Sequence, residues 1–373
     1  MGGETLATDL ALTAPRLTSR AHAPRLLIVS ASMGAGHMTA AEVLARRAEC
    51  RGAQTRIVDL LDLPARGQGH VVRGFYRLLV TRVPTAYDVI MRLWGRYPGA
   101  FEAITSVNDD GYLRALRPVF QDFRPDLVVS TYNLAGQLLG RLRRRGQLPT
   151  PLIAYVTDAG PHPYWVSPGA DLHLAPLEAT GVALQRLGAA KVRTVTPLVD
   201  DGSKLPRPLA RRRLGLAQDV TIALVNGGSW GVGPVSAMAR ALVAGDVTPY
   251  VLCGHSDRLA RKVTAVTGTH AIGWTDEVST WIAAADVVVD SAGGTTCWEA
   301  LLADRPVILH QPLAGHGRLN AEMLARAGLV TVTMTDHELR RAALSPQPPR
   351  RSQLDGDDAA DVVLAELATV RPL

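Results

Sequence analysis

The sequence predicts an α/β protein made of two doubly wound, Rossmann-like parallel-sheet domains facing across a cleft. Three observations predict it. Short β-branched runs alternate with Ala/Leu/Arg stretches of helical period, the pattern of strands buried on both faces and joined by crossover helices. The alternation halts once, at Pro197–Pro208, where three prolines fall beside Asp200, Asp201 and Gly202, and then restarts. A chain of 373 residues, at roughly 150 per domain, favours two cores over one.

The first series places strands at Leu26–Ser30, Arg56–Asp59, Asp126–Thr131, Leu152–Val156, Leu172–Ala175 and Val192–Thr196. The second places them at Thr221–Val225, Pro249–Cys253, Asp286–Asp290 and Pro306–His310. The expected organisation is a disordered leader over 1–24, a domain over 25–198, a linker over 199–208, a second domain over 209–344, and a loose tail with a terminal helix over 345–373. The leader lacks the basic start and apolar block of a secretory signal. In the first half, Val71, Val72, Phe75, Leu78 and Leu79, then Tyr87, Ile90, Met91 and Trp94, fall at helical spacing beside Arg73, Arg77, Arg92 and Arg96. These are basic amphipathic helices. Their apolar faces either cover the sheet or meet an apolar acceptor and an anionic membrane surface, with Arg on the headgroups.

Composition excludes several classes. At 47% hydrophobic, 20% charged and mean hydropathy +0.08, the chain is globular rather than disordered. Its longest apolar runs are strand-length, well short of the ~18 residues of a spanning helix. All but three of the 40 basic side chains are Arg, which suits phosphate partners, but no dense basic and aromatic patch marks nucleic-acid binding. Cys50, Cys253 and Cys297 are far apart and carry no zinc spacing, so no metal site is expected and a reducing cytoplasm is the expected compartment.

The chemistry-bearing residues cluster where strands end. Leu26–Ser30 runs into Ser32-Met33-Gly34-Ala35-Gly36-His37, where glycines let backbone approach a ligand and a helix N-terminus offers N–H groups to an anion. A dinucleotide fingerprint would need a third Gly where Thr39 stands, although Asp59 lies at the right distance for a ribose. His37 is the sharper feature, an imidazole at a ligand-binding strand edge. Leu152–Val156 ends in Thr157-Asp158-Ala159-Gly160-Pro161-His162-Pro163-Tyr164-Trp165, a second carboxylate and imidazole that fit either a site or a proline-stiffened Asx turn. In the second half, Gly227-Gly228-Ser229-Trp230 and Gly293-Gly294-Thr295-Thr296 follow strands, with Glu299 one turn into a helix. Such loops bind a diphosphate without metal. Glu299 suits two ribose hydroxyls or, equally, a capping box with Thr296.

The order of these pieces, closed by Gln311-Pro312-Leu313-Ala314-Gly315-His316-Gly317-Arg318-Leu319-Asn320-Ala321, resembles the GT-B glycosyltransferases of the group containing monogalactosyl- and glucosyl-diacylglycerol synthases and the N-acetylglucosaminyltransferase of lipid II synthesis. The resemblance covers about residues 25 to 335. It implies an inverting, metal-independent transferase that moves a hexose from a UDP-linked donor to a lipid or lipid-linked acceptor, without a cofactor and peripheral on the inner face of the cell membrane. The N-terminal domain would bind the acceptor, touching His162, Trp165, Phe75 and Trp94, with His37 or Asp158 as base. The C-terminal domain would bind the donor through Gly228, Ser229, Trp274, Thr275, Gly293, Gly294, Thr295, Thr296, Glu299, His316 and Asn320, and Gly36 would contact the donor from across the cleft. Two stretches depart from the group's pattern. Ser291-Ala292-Gly293-Gly294 stands where Lys-Pro-Gly-Gly is usual, and Ala314-Gly315-His316-Gly317 where Pro-Gly-Gln-Glu is usual. The second removes an amide and a carboxylate that read sugar hydroxyls, which implies an altered donor or acceptor. The rivals are a transferase for a soluble secondary metabolite, a donor-binding subunit without catalysis, and a nucleotide-sugar epimerase.

Overall fold

The structure, a computed structural model, describes residues 23–63, 68–200, 202 and 205–370. Most of the expected leader and three linker positions lie outside these. The first domain holds β1 (Arg25–Ser30), β2 (Gln54–Asp59), β3 (Leu127–Ser130), β4 (Leu152–Tyr155), β5 (Leu172–Ala175) and β6 (Val192–Thr194), all parallel in the order β2-β1-β3-β4-β5-β6. Its helices are α1 (Gly36–Glu49), α2 (Gln68–Arg82), α3 (Pro84–Arg96), α4 (Pro98–Ser106), α5 (Asp109–Phe123), α6 (Asn133–Arg144) and α7 (Glu178–Arg186). The second domain holds β7 (Ile222–Asn226), β8 (Thr248–Leu252), β9 (His270–Ile272), β10 (Val287–Asp290), β11 (Val307–His310) and β12 (Thr331–Thr333), parallel in the order β12-β11-β10-β7-β8-β9. Its helices are α8 (Arg207–Arg213), α9 (Val235–Val243), α10 (Asp257–Thr264), α11 (Val278–Ala284), α12 (Thr295–Leu302), α13 (His316–Arg326) and α14 (Asp336–Leu344), and α15 (Ala359–Val370) follows.

The strand orders position the site. In the first sheet the chain reverses direction of winding between β1 and β3, and in the second between β7 and β10. In open parallel sheets the crevice outside the strand C-termini at such a point is where ligands bind. The loops after these four strands carry Gly34–His37, Thr131, Gly227–Trp230 and Gly293–Thr296, so both crevices open onto one cleft. The central strands are Val/Ile/Leu runs at or near zero exposure, as burial by helices on both faces requires.

The structure amends two expectations. The edge strands β9 and β12, three residues each and half-exposed, carry too little apolar pattern to register as strands. The segment 345–356, expected to be loose, is largely exposed, as expected, but is anchored at Leu354 and leads into a packed helix. Leu354 is buried in the second domain's core, Thr196 donates N–H to Asp357 O at 2.9 Å, and Ala359, Ala360, Val363 and Leu367 of α15 complete the core of the first domain beside Leu26 and Leu44. The chain thus crosses back, and its last helix seals the domain with which it began.

The amphipathic helices also divide differently from the simple basic-face picture. Arg73 is turned inward, bonding Ser32 Oγ at 2.9 Å and the carboxylates of Asp59 and Asp62. Arg77 lies 5.9 Å over the Trp230 ring. Arg92 pairs with Asp88 at 3.1 Å; Arg96 is exposed. No helix among the described residues is long and apolar enough to cross a membrane.

Candidate active site

A cavity of about 1230 Å³ fills the cleft between the two sheets. His37, the second residue of α1, lines it. Its Nδ1 is 3.0 Å from the carbonyl oxygen of Thr131 at the end of β3 and 3.3 Å from Thr157 Oγ1. A carbonyl only accepts, so Nδ1 carries the proton and Nε2 presents a lone pair. Burial holds the imidazole pKa below its usual value, although the Asp158 carboxylate and the Thr131 carbonyl oppose this. The ring is therefore neutral and basic at neutral pH. Tyr132 stands edge-on at 5.1 Å between ring centroids.

Asp158 follows β4. Its Oδ2 accepts from Trp165 Nε1 at 2.9 Å and its Oδ1 from Asn320 Nδ2 at 3.1 Å. Burial pushes its pKa up, but the imidazoles of His316 and His162 and these two hydrogen bonds outweigh that and hold it down. Trp165, expected against the acceptor, is buried in the cavity wall and donates to Asp158. His162 is buried among Tyr164, Trp165 and Asn133, and burial lowers its pKa to about 4. Trp94 packs on Phe101 at 4.1 Å while still lining the cavity, and Phe75 is exposed at the rim.

Across the cleft, Asp290 at the end of β10 gathers the N–H groups of Ser291, Ala292 and Gly293 at 2.7–3.2 Å. Gly293 N–H is therefore committed to the loop itself, and the groups left for an anion are those of the first turn of α12, beginning at Thr295. Gly36 faces this turn so closely that a Cβ there would lie 2.6 Å from Thr295 Oγ1. The Glu299 carboxylate bonds no backbone N–H of the α12 N-terminus, and the N-cap of α12, Gly294, has no side-chain bond, which excludes the capping box. Burial, then the neighbouring Asp200, raises the Glu299 pKa to about 7. Gly228 adopts φ +60° and bonds Asn226, with Ser229 beside it in the cavity wall. One face of Trp274 is stacked by His255 at 4.2 Å; Thr275 Oγ1 accepts from Glu277 N–H at 3.0 Å.

Asn320, expected at the donor, is completely buried and acts as a pin between domains. Its Oδ1 accepts from Gly160 N–H at 3.0 Å, and its Nδ2 donates to Asp158 and to Ala292 O. His316 accepts or donates at Nδ1 with Tyr87 OH of α3, 3.1 Å away. Two residues outside the sequence motifs also tie the halves together: Trp298, whose Nε1 donates to Thr157 O at 3.2 Å, and Asp88, which receives Gly315 N–H and Arg318 from the other domain.

Two facing Rossmann-like domains with a shared cleft and a C-terminal helix crossing back define the GT-B fold. Solved glycosyltransferase structures share it over nearly the whole chain. MurG of Acinetobacter baumannii superposes with TM-score 0.52 at 14% identity, covering 93% of this chain and 99% of its own. SnogD of Streptomyces nogalater gives 0.56 at 18% identity, covering 94% and 100%. Within that fold the likeness narrows. The family model described as monogalactosyldiacylglycerol (MGDG) synthase matches residues 37–193, and a processive diacylglycerol beta-glucosyltransferase of Bacillus thuringiensis is 22% identical over 343 residues, 85% of this chain and 84% of its own. This is a GT-B chain that resembles the diacylglycerol glycosyltransferases, a homologue of glycosyltransferase enzymes over most of its length.

Proposed function

We propose that the protein is an inverting glycosyltransferase that uses a UDP-linked hexose and a lipid or lipid-linked acceptor, and that it works without a metal at the surface of the inner membrane leaflet. One observation carries this reading: His37, with Nδ1 committed to the Thr131 carbonyl and Nε2 left to accept, lines the same cavity as Thr295 and Thr296 in the first turn of α12. The acceptor hydroxyl gives its proton to Nε2 as its oxygen attacks the anomeric carbon. The bond from that carbon to the diphosphate oxygen breaks on the opposite face, and the nucleoside diphosphate leaves with the electron pair. The α12 N-terminus, with Thr295 and Thr296, stabilises the charge that develops on the leaving group, so the chemistry asks for no cation there. Glu299 receives the ribose hydroxyls. Asp158, held below its ordinary pKa despite burial by neighbouring imidazoles and by Asn320 and Trp165, is a weak base and sets the field around His37 rather than taking the proton itself.

The acceptor side is supported by the apolar wall of Phe75, Leu79, Ile90, Met91 and Trp94 leading from the rim to His37, and by the printed activity of the Bacillus relatives. The test is thermal denaturation with UDP and UDP-hexoses, followed by transfer to diacylglycerol in vesicles with and without EDTA. UDP should raise Tm in the parent and in His37→Ala but not in Glu299→Ala, and His37→Ala should lose about 10²–10⁴ in turnover. The reading falls if His37→Ala and Glu299→Ala, both folded, transfer sugar as well as the parent.

A further inference from the structure

Arg73 of α2 bonds the loop that follows β1, and every nitrogen of its guanidinium has a partner. Nε donates to Ser32 Oγ at 2.9 Å. One terminal nitrogen donates to Asp59 Oδ2 at 3.2 Å and to Asp62 Oδ1 at 2.6 Å, and the other lies 3.2 Å from His70 Nδ1. Asp59, the last residue of β2, also accepts the N–H groups of Ser32 at 3.1 Å and Leu61 at 2.8 Å, so its carboxylate is committed to the chain rather than to a ribose. Ser32 is thus held twice, by its backbone to Asp59 and by its hydroxyl to Arg73, and the two holders bond each other. Arg73 and Asp59 are only 20% and 13% exposed in their side chains, which spares the pair most of the screening that weakens ion pairs at the surface.

Ser32 opens a stretch whose next five residues, Met33 to His37, all line the cavity, while Arg73, Asp59 and Ser32 themselves do not. The far end of the stretch is fixed at His37, whose carbonyl accepts from Thr131 Oγ1 at 3.0 Å and whose Nδ1 meets Thr131 O. Between these anchors Gly34 takes φ +107° with no atom within 4 Å of a would-be Cβ, so packing there does not set the course of the loop. Gly36 has no room to spare, since a Cβ would lie 2.6 Å from Thr295 Oγ1. A loop that is unpacked at one glycine and tight at the next takes its position from its ends.

We infer that Arg73 is a positioning residue of the sugar transfer: through Ser32 and Asp59 it sets the course of the loop that carries Gly36 and His37 past the first turn of α12. The inference rests on the transferase reading above and adds a residue that touches neither donor nor acceptor. A fork of N–H groups is needed, because hydroxyl and carboxylates are met from one planar group, which a lysine ammonium cannot reproduce. A displacement of about 1 Å at a reacting group costs about 10²-fold in rate.

The experiment is steady-state transfer from UDP-glucose and UDP-galactose to dioctanoylglycerol in detergent micelles, beside calorimetric binding of UDP. The proteins are the parent, Arg73→Ala, Arg73→Lys, Ser32→Ala and the Arg73→Ala/Ser32→Ala pair. Arg73→Ala should lower kcat about 10–100-fold with the affinity for UDP unchanged, whereas a merely structural loss would lower Tm and leave the kcat of the folded protein alone. Arg73→Lys should recover only part of the loss. Ser32→Ala should cost about fivefold, the worth of one hydrogen bond, and the pair no more than Arg73→Ala alone, because both changes break one contact. Parental kcat in a folded Arg73→Ala, or losses that multiply in the pair, would overturn the inference and leave the transferase reading standing. Should Arg73→Ala not fold, Ser32→Ala decides, and parental kcat there overturns the inference. A parent that binds no UDP or transfers neither sugar ends the transferase reading and takes the inference with it.

Discussion

Asn320 Nδ2 on α13 of the second domain donates to Asp158 Oδ1 of the first across 3.1 Å, while the same amide's oxygen receives Gly160 N–H. One buried side chain thus ties the loop after β4 to the donor half. The contact requires Gly160, because a Cβ there would lie 2.2 Å from Leu319 O, a backbone atom that cannot rotate away. Asn320→Ala leaves Asp158, Gly160 N–H and Ala292 O short of partners at a buried seam, and should lower stability by about 2–4 kcal/mol in urea denaturation. Gly160→Ala should instead force the domains apart, seen as a larger radius of gyration by small-angle scattering, with UDP binding retained. An unchanged radius and unchanged turnover in Gly160→Ala would remove the seam from the account.

His37 should govern the acid limb of activity. Its imidazole must be neutral to take a proton, and burial disfavours the charged ring, so the limb in kcat/KM should have its midpoint below the ordinary histidine value of about 6.5. Thr157→Val removes only the 3.3 Å contact to Nδ1. It should lower kcat modestly and leave the donor affinity alone, since the Thr131 carbonyl still fixes the tautomer. A midpoint above 6.5, measured with a donor whose own ionisation is constant over the range, would rule out a buried neutral imidazole as the base.

Glu299 gives a second pH dependence of known sign. Its folded pKa of about 7 lies above the ordinary carboxyl value, so the native state binds more protons than the unfolded state between about pH 4.5 and 7. Its contribution to stability is therefore greatest below that window and lost as pH rises through it. Glu299→Gln should abolish the loss, gaining up to about 3 kcal/mol on the parent at pH 8 relative to pH 4.5. Two ribose hydroxyls donate best to the ionised carboxylate, so UDP binding near pH 6.5 should release a proton. Calorimetry in buffers of differing ionisation enthalpy reads that release directly, and Glu299→Gln should show none.

Much of this was legible in the chain. The β1, β4 and β10 loops carry glycine, histidine and aspartate at strand ends, and the fold brings His37, Asp158 and the α12 turn around one cavity. Partners supplied by backbone were not legible. Thr131 fixes the His37 tautomer through its carbonyl, and Asp290 removes Gly293 from the anion site by accepting N–H groups, and neither interaction leaves a trace in residue identity. Long-range pairing was equally silent. Asn320 sits in a loop-and-helix motif suited to a ligand, yet its amide bonds Gly160, Asp158 and Ala292, and Trp165 in the cavity wall also serves Asp158. Arg73 showed the helical spacing of a surface cation, but its guanidinium is paired with the carboxylates of Asp59 and Asp62.

The outer face of α2, α3 and α4 should bind membranes chiefly through its apolar side chains. Val71 and Phe75 on α2, Ile104 on α4 and Val107 just beyond it are 59–86% exposed, and other α2 and α3 residues line the cavity that holds His37. Among the described cations of these helices Arg73 pairs with Asp59 and Asp62, Arg77 lies over Trp230 and Arg92 pairs with Asp88, so the exposed Arg96 is the one taken to meet an anionic headgroup, worth about 1 kcal/mol. Two buried apolar side chains are worth more. Val71→Ser with Phe75→Ser should weaken co-sedimentation with phosphatidylglycerol vesicles at least tenfold, Arg96→Ala only about fivefold, and 0.5 M salt no more than Arg96→Ala does. The double variant should lose transfer to a vesicle-borne diacylglycerol while its affinity for UDP is unchanged. Vesicle binding that survives the serine pair but disappears in salt would assign the surface to electrostatics instead, and equal activity on a short-chain acceptor in solution and on the vesicle-borne one would show that the exposed face serves another partner.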